Sequence, residues 1–419
     1  MLTLEDAVNL ALAHNRSIEQ ASLSAAGTAD AIAAARTQRL PQFSFSSTTG
    51  LLLTRPTITF EKGAFGEYPG IGSVPGDTTE ISSARKPTAI LTAEVALPLT
   101  QQFRIGLGIR SLKLSEKIAR QQVRLTRQEV VKQVRQVYYS ILQKQSSLDA
   151  VEQTIQLLRE VSRQTSHYVR VGTALDADLL DVQARLAKAE YDKIALTSPI
   201  ATQKEQLNQL LGRPIECDFR VAQVIESSWI TELADARERA VASRPEIEQA
   251  RLKIDQAVIE RRKKKSEYIP DVSLAVTYYS AINVSSSLPR NVAIAGVQTN
   301  WQPFDWGKKR NELAQKDKAI QEAAIALRDL EDKVRIEVGS AFRKMQEARM
   351  MLAASRASQE STREAARVAS VRFRSNSALL KDVLEAQTEL ASASDNTQQA
   401  ILAYWSARAD FEKAVGEEQ

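Results

Sequence analysis

The sequence is poor in the residues that build catalytic sites and thick globular cores. Its 419 residues include one cysteine and two histidines, and aromatic residues make up only 5% of the chain. The single Cys217 excludes an internal disulfide, and His14 and His167 lack a ligand set with metal-site spacing. No phosphate-binding loop, dinucleotide fingerprint or nucleophile elbow occurs. We therefore expect no enzyme activity, no cofactor and no bound metal.

Long apolar runs and a strong charge of one sign are also absent. No run of about 18 apolar residues occurs, so the sequence predicts no transmembrane helix. The 56 basic and 51 acidic residues are interspersed and leave a net charge of +5, which is weak support for nucleic-acid binding. A signal peptide is absent as well. We expect either a cytosolic protein or a mature chain whose signal peptide has been removed.

Glycine and proline are scarce, with 15 and 12 residues, and they cluster in one region. Region 50–87 contains six glycines and four prolines, which predicts one long surface loop. The remaining composition, rich in alanine, leucine, glutamine, arginine and glutamate, is typical of long helices.

Helical periodicity extends over most of the chain. The first helix should start at an N-cap on Thr3 and continue to about Arg39. Between about 103 and 169 apolar residues recur at heptad spacing, which predicts a coiled-coil helix of roughly 100 Å. The helix that returns from it should break at Ser198-Pro199 and then resume.

Four short segments switch from helical periodicity to the alternation typical of strands. They span about 42–49, 88–97, 271–280 and 292–301, and each lies near a proline. The first three carry an apolar face, whereas the facing of the fourth is ambiguous. Strands of about ten residues with one apolar face match those of outer-membrane proteins.

The whole plan occurs twice. Ile18 and Ile247 occupy matching positions 229 residues apart, and Arg170 and Arg374 are 204 residues apart. Each copy reads helix, strand, loop, strand, long helix, turn and returning helix. We predict a first copy at 1–212, a linker at 213–227, a second copy at 228–416 and a tail at 417–419.

Two turns starting at Arg170 and Arg374 align without a gap. Each should reverse a long helix at one end of the molecule. In each, a residue that tolerates the left-handed conformation precedes a hydroxyl residue suited to capping the next helix. These residues are Gly172 and Thr173 in the first turn, and Asn376 and Ser377 in the second.

The strands and helices together predict an oligomer. Four strands cannot close a barrel, and open strand edges are not tolerated in lipid. The apolar stripes of the helices are thin, so a ring of packed helices would bury them better than a single chain. We therefore predict a hollow oligomeric tube. The alternative is a soluble coiled-coil scaffold with a small sheet domain, and solubility without detergent would favour it.

Several short motifs resemble the outer-membrane efflux protein family, the TolC-like exit ducts. They are 4–12 (LEDAVNLAL), 96–99 (ALPL), 243–247 (SRPEI) and 302–304 (QPF), together with the two turns. Each motif is weak alone, but their order and duplication span nearly the whole chain. The resemblance implies a mainly α protomer with a small β part and four transmembrane strands. Three protomers would form a 12-stranded β-barrel continuous with an α-helical periplasmic tunnel.

The resemblance also implies partners and a location. It places the chain in the bacterial outer membrane as a homotrimer in contact with lipid, after removal of a signal peptide. An inner-membrane pump of the RND, ABC or MFS type would supply energy, and no nucleic acid is implied. A periplasmic adaptor would dock on the tip turns, at Arg170, Gly172, Thr173, Arg374, Asn376 and Ser377. The cargo stays open.

The resemblance further implies an acidic constriction at the second turn. Asp382 and Glu385 lie one helical turn apart, so threefold repetition would place six carboxylates in a cation-selective ring. Asp178 and Asp181 are weaker candidates in the first turn. The alternative is that these acids only complement the helix dipole. Where a family member carries a tip-locking arginine, this chain has Ala378.

Two further groups suit a membrane interface. Trp301, Phe304 and Trp306 follow the fourth strand, where an aromatic girdle would lie, although core packing is an equal alternative. The basic run 261–265 precedes the third strand. It would anchor the chain at the lipid surface or form a solvated helix end.

Overall fold

The computed structural model describes residues 1–51, 53, 57–82, 87–173, 175–223, 232–283, 290–375 and 377–417. This part of the chain is mainly helical, as predicted. None of the described helices is both long enough and apolar enough to cross a membrane. The helices are α1 (Leu4–His14), α2 (Arg16–Thr37), α3 (Gln101–Arg170), α4 (Asp176–Leu210), α5 (Leu233–Ser243), α6 (Pro245–Lys265), α7 (Lys308–Arg374) and α8 (Leu380–Val415).

The strands lie in two parts of the chain. They are β1 (Gln42–Leu51), β2 (Thr57–Phe60), β3 (Glu67–Tyr68), β4 (Gly72–Ser73), β5 (Thr79–Ser82), β6 (Pro87–Pro98), β7 (Asp271–Ile282) and β8 (Asn291–Asn300). The four long strands form one antiparallel sheet in the order β1-β6-β7-β8. Therefore β1 and β8 are its edges.

The chain divides into two compact units. The helical unit comprises Met1–Gly27, Glu116–Ile254 and Glu322–Gln419. The sheet unit comprises Thr28–Ser115 and Asp255–Gln321. The proposed tandem copies follow a different division, because each copy contributes to both units. The boundaries of the copies stay a prediction.

The four-stranded sheet has one apolar face and one polar face. The strand register aligns Phe43, Val95, Val276 and Ala295 across one face. The next register row, on the opposite face, contains Ser44, Glu94, Thr277 and Ile294. The fourth strand, whose facing was ambiguous, thus contributes apolar residues to both faces. Large apolar side chains stay exposed, including Phe43 at 79% and Val276 at 45%.

The region predicted as one long loop contains additional strands. The short strands β2 and β5 pair with each other, as do β3 and β4. Gly66 (φ +104°) and Gly70 (φ +82°) adopt backbone conformations that disfavour other residues, so the glycines that indicated a loop instead shape tight turns.

The first predicted helix is interrupted, and the sequence prediction is wrong there. Asn15 leaves the helical conformation at φ −70° and ψ 127°. Its Oδ1 accepts hydrogen bonds from the backbone N–H groups of Ser17 (2.9 Å) and Ile18 (3.4 Å). Its Nδ2 donates to the Leu210 carbonyl oxygen at 2.8 Å. The side chain therefore caps α2 and ties the break to the end of α4.

The returning helix α4 is continuous where the sequence predicted a break. It was expected to break at Ser198-Pro199, yet α4 continues through Pro199. An internal proline removes one backbone hydrogen bond and costs about 3 kcal/mol. Burial of Ile200 and Leu207 just beyond the proline anchors the helix and offsets that cost.

Three apolar clusters support the helical unit. The first cluster joins α1, α3, the end of α4 and α8 around Val134, Tyr138 and Leu207. The second cluster joins α5, α6, α7 and the end of α8 around Val338 and Phe411. The third cluster joins α3, α4 and α8, and its buried members are Ile155, Leu158, Val161, Val182, Ala189 and Leu384.

Candidate functional site

The first turn closes the end of α3 with backbone and side-chain hydrogen bonds. Gly172 has φ +74°, the left-handed conformation expected of it. The Thr173 N–H donates to the Tyr168 carbonyl oxygen at 2.9 Å. The Thr173 hydroxyl donates to the same carbonyl at 3.1 Å. Thr173 therefore completes the preceding helix and does not cap the next one, so its predicted N-cap role is wrong.

The second turn repeats this arrangement. The Ser377 N–H and hydroxyl both donate to the Arg372 carbonyl oxygen, at 2.8 and 3.0 Å. Ser377 is therefore also not the predicted N-cap. Asn376 lies outside the described residues. The helix α7 ends at Arg374, whose backbone is described.

The helices that leave the two turns have Leu175 and Leu379 as their N-cap residues, and an aspartate in the first turn of each helix, not a hydroxyl residue, makes the side-chain contact to the helix end. The Asp178 carboxylate accepts the Leu175 N–H at 3.1 Å, and the Asp382 carboxylate accepts the Leu379 N–H at 3.0 Å. Each carboxylate thus satisfies a backbone N–H that has no partner within the helix, at the positive end of the helix dipole. The sequence could not distinguish these caps from Thr173 and Ser377, because both residue types suit the role.

Asp382 and Glu385 are both exposed, one turn apart on α8. Glu385 lies 3.4 Å from the Lys381 ammonium, and the two side chains are 58% and 76% exposed. Such an exposed pair contributes about 0–1 kcal/mol. The structure therefore places both carboxylates on an accessible surface and assigns Asp382 a capping contact in addition.

An arginine that the sequence did not reveal connects the two returning helices. Arg185 on α4 donates to the Asp181 carboxylate at 3.2 Å and to the Thr388 hydroxyl on α8 at 3.0 Å. Arg185 and Thr388 are 203 residues apart, so no local pattern pairs them. The weaker candidate Asp181 therefore orients this contact, while Asp178 serves as a cap.

A groove of about 850 Å³ lies between the helices α3, α4, α7 and α8. Its lining mixes apolar and polar side chains, and the polar ones include Ser147 and Thr154 on α3, Asp192 on α4, Gln359 on α7 and Ser394 on α8. The hydroxyl oxygen of Ser147 is buried without a protein partner. The helices are thus closely packed at the third cluster and separated by a groove of mixed polarity beside it.

The aromatic residues after β8 are strongly exposed. Trp301, Phe304 and Trp306 are 56%, 66% and 90% exposed. The rings of Phe304 and Trp306 contact each other at 4.8 Å between centroids. This exposure suits an interface with another phase better than core packing within one chain.

Most of the basic run 261–265 is neutralised locally. Arg261 pairs with Asp317, and Lys263 lies 3.8 Å from Glu260. The Lys264 ammonium lies 2.6 Å from Glu267 and 2.5 Å from Glu312. Hydrogen bonds to these two carboxylates raise the pKa of Lys264. The run as a whole is therefore not a free cationic patch.

Comparison with known proteins identifies the family. The model of the outer membrane efflux protein family matches residues 7–213 and 236–417. The CmeC outer membrane channel of Campylobacter jejuni is a similar solved structure, with 16% identity, a TM-score of 0.77 and coverage of 99% of this chain and 85% of that chain. No protein of curated function matches the sequence.

Two further solved structures share the fold. VceC of Vibrio cholerae has 14% identity and a TM-score of 0.75, over 99% of this chain and 96% of that chain. The MtrE channel of Neisseria gonorrhoeae, solved in an open state, has 16% identity and a TM-score of 0.75, over 99% of this chain and 89% of that chain. At these identities the likeness establishes the fold.

The family match covers both halves of the chain and confirms the resemblance inferred from the motifs. It also decides between the two functions that the sequence left open, because the family consists of outer-membrane ducts and not of soluble scaffolds or enzymes. The chain therefore belongs to the outer membrane efflux protein family and is the outer-membrane exit duct of a tripartite export system.

Proposed function

We propose that three copies of the chain form one 12-stranded barrel in the outer membrane, continuous with a helical tunnel across the periplasm. The observation that carries this proposal is the sheet with two open edges, β1 and β8, and an exposed apolar face. In a bilayer the unpaired backbone groups of both edges must find partners. Pairing β1 of one protomer with β8 of the next satisfies every edge.

The tip turns are the proposed docking surface for a periplasmic adaptor. In each turn, hydrogen bonds from Thr173 or Ser377 fix the end of the preceding helix. Fixed, exposed turns give a partner a surface of defined shape. The proposed contacts are Arg170, Gly172, Thr173, Arg374, Asn376 and Ser377. An inner-membrane pump of the RND, ABC or MFS type supplies the energy in this proposal.

Asp382 and Glu385 are the proposed cation-selective constriction of the tunnel. Threefold symmetry would bring six carboxylates together and focus a negative potential there. The exposure of both side chains and their position one turn apart support this role. Asp178 and Asp181 are weaker candidates, because one caps a helix and the other pairs with Arg185.

Single-channel conductance in planar bilayers tests the duct and its constriction together. The test variant is Asp382→Ala/Glu385→Ala. Its matched control, Asp178→Ala/Asp181→Ala, removes the same charge and one helix cap from the other turn. We expect cation-selective pores from the wild type, loss of selectivity in the test variant and a much smaller change in the control.

Two outcomes would contradict parts of the proposal. Pores with unchanged selectivity in the test variant would retain the duct and reject the constriction at these residues. Protein that stays soluble without detergent, shows no heat-modifiable trimer and forms no pores would reject the trimeric barrel itself.

A further inference from the structure

The sheet unit carries exposed cations at three of the four junctions between a helix and the long-stranded sheet. We call these six side chains the junction cations. All are exposed, and none has a carboxylate within ion-pair distance among the residues that the structure describes. They are Arg36 and Arg39 before β1, Arg262 and Lys265 before β7, and Lys308 and Arg310 after β8.

Three carboxylates that lie near these junctions already have partners. Asp271 accepts a hydrogen bond from Arg104 at 2.8 Å, and Asp317 pairs with Arg261. Glu312 pairs with Lys264 at 2.5 Å, and this contact lowers the pKa of the Glu312 carboxyl. Among the residues that the structure describes, the junction cations therefore have no ion-pair partner and are open to an external counter-charge.

The same end of the sheet is lined with exposed apolar side chains. Leu40 is 60% exposed before β1, and Phe103 is 58% exposed after β6. Tyr268 and Ile269 are 48% and 47% exposed before β7. Since β1 and β7 start where β6 and β8 end, these residues and the aromatics after β8 share one end of the sheet. Apolar groups and cations therefore lie together at this end of the sheet, which we call the rim.

The backbone around Trp306 is held in a defined conformation at this rim. The residue is 90% exposed at φ +54°, a backbone conformation that is costly for a tryptophan. The Asp305 carboxylate fixes it by accepting the Gly307 N–H at 3.1 Å and the Lys309 N–H at 2.9 Å. Lys309 in turn lies 5.9 Å from the centre of the Tyr268 ring. A strained backbone that holds the Trp306 ring exposed beside Phe304 indicates an external apolar partner.

We propose that the junction cations bind the phosphate groups of anionic glycerophospholipids at the membrane surface nearest the helices. The inference rests on the proposed placement of the sheet in a bilayer. A headgroup region offers phosphates beside acyl chains, which matches cations beside exposed aromatics. A nucleic acid would satisfy the cations but would offer no acyl chain to the aliphatic side chains Leu40 and Ile269.

Native mass spectrometry of the purified trimer, loaded with equal amounts of phosphatidylglycerol and phosphatidylcholine, tests the proposal. The variant is Arg39→Gln/Lys265→Gln/Lys308→Gln/Arg310→Gln. Its control is Arg120→Gln/Arg163→Gln/Arg363→Gln/Arg367→Gln, which removes four exposed cations that pair with glutamates of their own helices. Both variants change the net charge equally.

The wild type and the control should retain phosphatidylglycerol in preference to phosphatidylcholine. The junction variant should lose this preference by about tenfold or more, since each cation near an anionic surface contributes about 1 kcal/mol. Unchanged preference in the junction variant, or an equal loss in the control, would overturn the proposal. Displacement of the lipid by millimolar inorganic phosphate would also overturn it, because the site would then be one for free anions.

Conductance of the same samples separates this inference from the proposed function. Conducting trimers that show no preference for phosphatidylglycerol would reject lipid recognition alone. If the wild-type protein neither inserts into vesicles nor conducts, the placement of the sheet fails and the inference fails with it. Retained conductance in the junction variant, together with lost lipid preference, is the expected result.

Discussion

The helical unit contains two similar junctions that differ in the group that closes them. In the first junction, α1 and α2 meet at Asn15, beside the end of α4 at Gly212. In the second, α5 and α6 meet at Arg244, beside the end of α8 at Gly416. Both glycines are left-handed, at φ +68° and φ +91°. A neutral amide closes the first junction, whereas a guanidinium whose side chain is 7% exposed closes the second.

The difference shows how one backbone plan tolerates different chemistry. Asn15 satisfies its neighbours with three neutral hydrogen bonds. Arg244 depends on carboxylates, with Glu246 at 2.9 Å and Glu337 at 2.7 Å. Burial acts to lower the pKa of Arg244, but the hydrogen bonds to both glutamates outweigh it and raise the pKa. The second junction is therefore stable only while its ion pairs are complete.

The largest expected effect comes from adding a methyl group to each glycine. A Cβ on Gly212 would lie 2.3 Å from the His14 carbonyl oxygen, which is backbone and cannot rotate away. A Cβ on Gly416 would lie 2.8 Å from the Ser243 hydroxyl, which can. We expect Gly212→Ala to lower the free energy of unfolding by about 3–5 kcal/mol and Gly416→Ala by about 1–3 kcal/mol.

Unfolding of the detergent-solubilised protein, followed by circular dichroism, measures both losses. The double variant Ser243→Ala/Gly416→Ala is the control, because it removes the side chain that the new Cβ would meet. It should recover part of the loss in the second junction. Equal losses for the two single variants would show that backbone strain alone, and not the close approach at His14, limits both positions.

The second prediction removes the closing groups themselves. Arg244→Met leaves Glu246 and Glu337 without their partner and should cost about 2–3 kcal/mol, less than a fully buried pair because Glu337 is 52% exposed. Asn15→Ala removes a helix cap and should cost about 1–2 kcal/mol. The same unfolding measurement compares them. Wild-type stability in Arg244→Met would mean that the ion pairs add nothing beyond what water provides.

These junctions show what the sequence could and could not predict. Gly212 and Gly416 lie 204 residues apart at matching positions, so the sequence repeat was sufficient to predict both helix ends. The break at Asn15 was not, because helical periodicity continues on both sides and its main partner, the Leu210 carbonyl, is 195 residues away. At Pro199 the error is reversed: the sequence predicts a helix break, but tertiary packing keeps the helix continuous through the proline.

Some features of the candidate site could likewise be predicted from the sequence and others could not. The duplication located both turns, and the motifs identified the family. The helix caps were misassigned to Thr173 and Ser377, because Thr173 and Asp178 both suit a capping contact and only the observed start of α4 decides between them. The contact of Arg185 with Thr388 has no sequence signal. Local chemistry was therefore predictable, whereas pairings between distant helices required the structure.

The third prediction concerns the apolar clusters beside the two junctions. Tyr139 in the first cluster stacks on Trp405 at 5.3 Å, and burial raises the pKa of its phenol to about 12. The second cluster has Phe342 against Phe411 at 5.7 Å instead. Because the folded state keeps the phenol neutral, its stabilisation is complete below pH 10 and is lost between pH 10 and about 12.

Tyr139→Phe should therefore reduce the alkaline loss of stability, by on the order of 2 kcal/mol at the upper end of that range. Denaturant unfolding at a series of pH values measures it. Tyr138→Phe is a useful contrast. The Tyr138 hydroxyl lies 2.9 Å from the Leu2 carbonyl oxygen and 3.0 Å from the Ala222 N–H, so its removal should cost stability at neutral pH too. An alkaline transition unchanged in Tyr139→Phe would contradict the assignment.

The smallest expected effect separates the two roles of Asp382. Asp178 and Asp382 make the same capping contact, so alanine at either position should cost about 1 kcal/mol. Asp382→Asn removes the charge but keeps an oxygen that can accept the Leu379 N–H, and it should cost less. Hydrogen exchange at the Leu175 and Leu379 amides measures both caps. If Asp382→Asn retains protection at Leu379 but lowers cation selectivity, the selectivity arises from charge and not from the shape of the turn. The opposite result is that cation selectivity falls only in those variants that also lose amide protection at Leu379. In that case the conformation of the turn, and not the acidic ring, determines the cation selectivity.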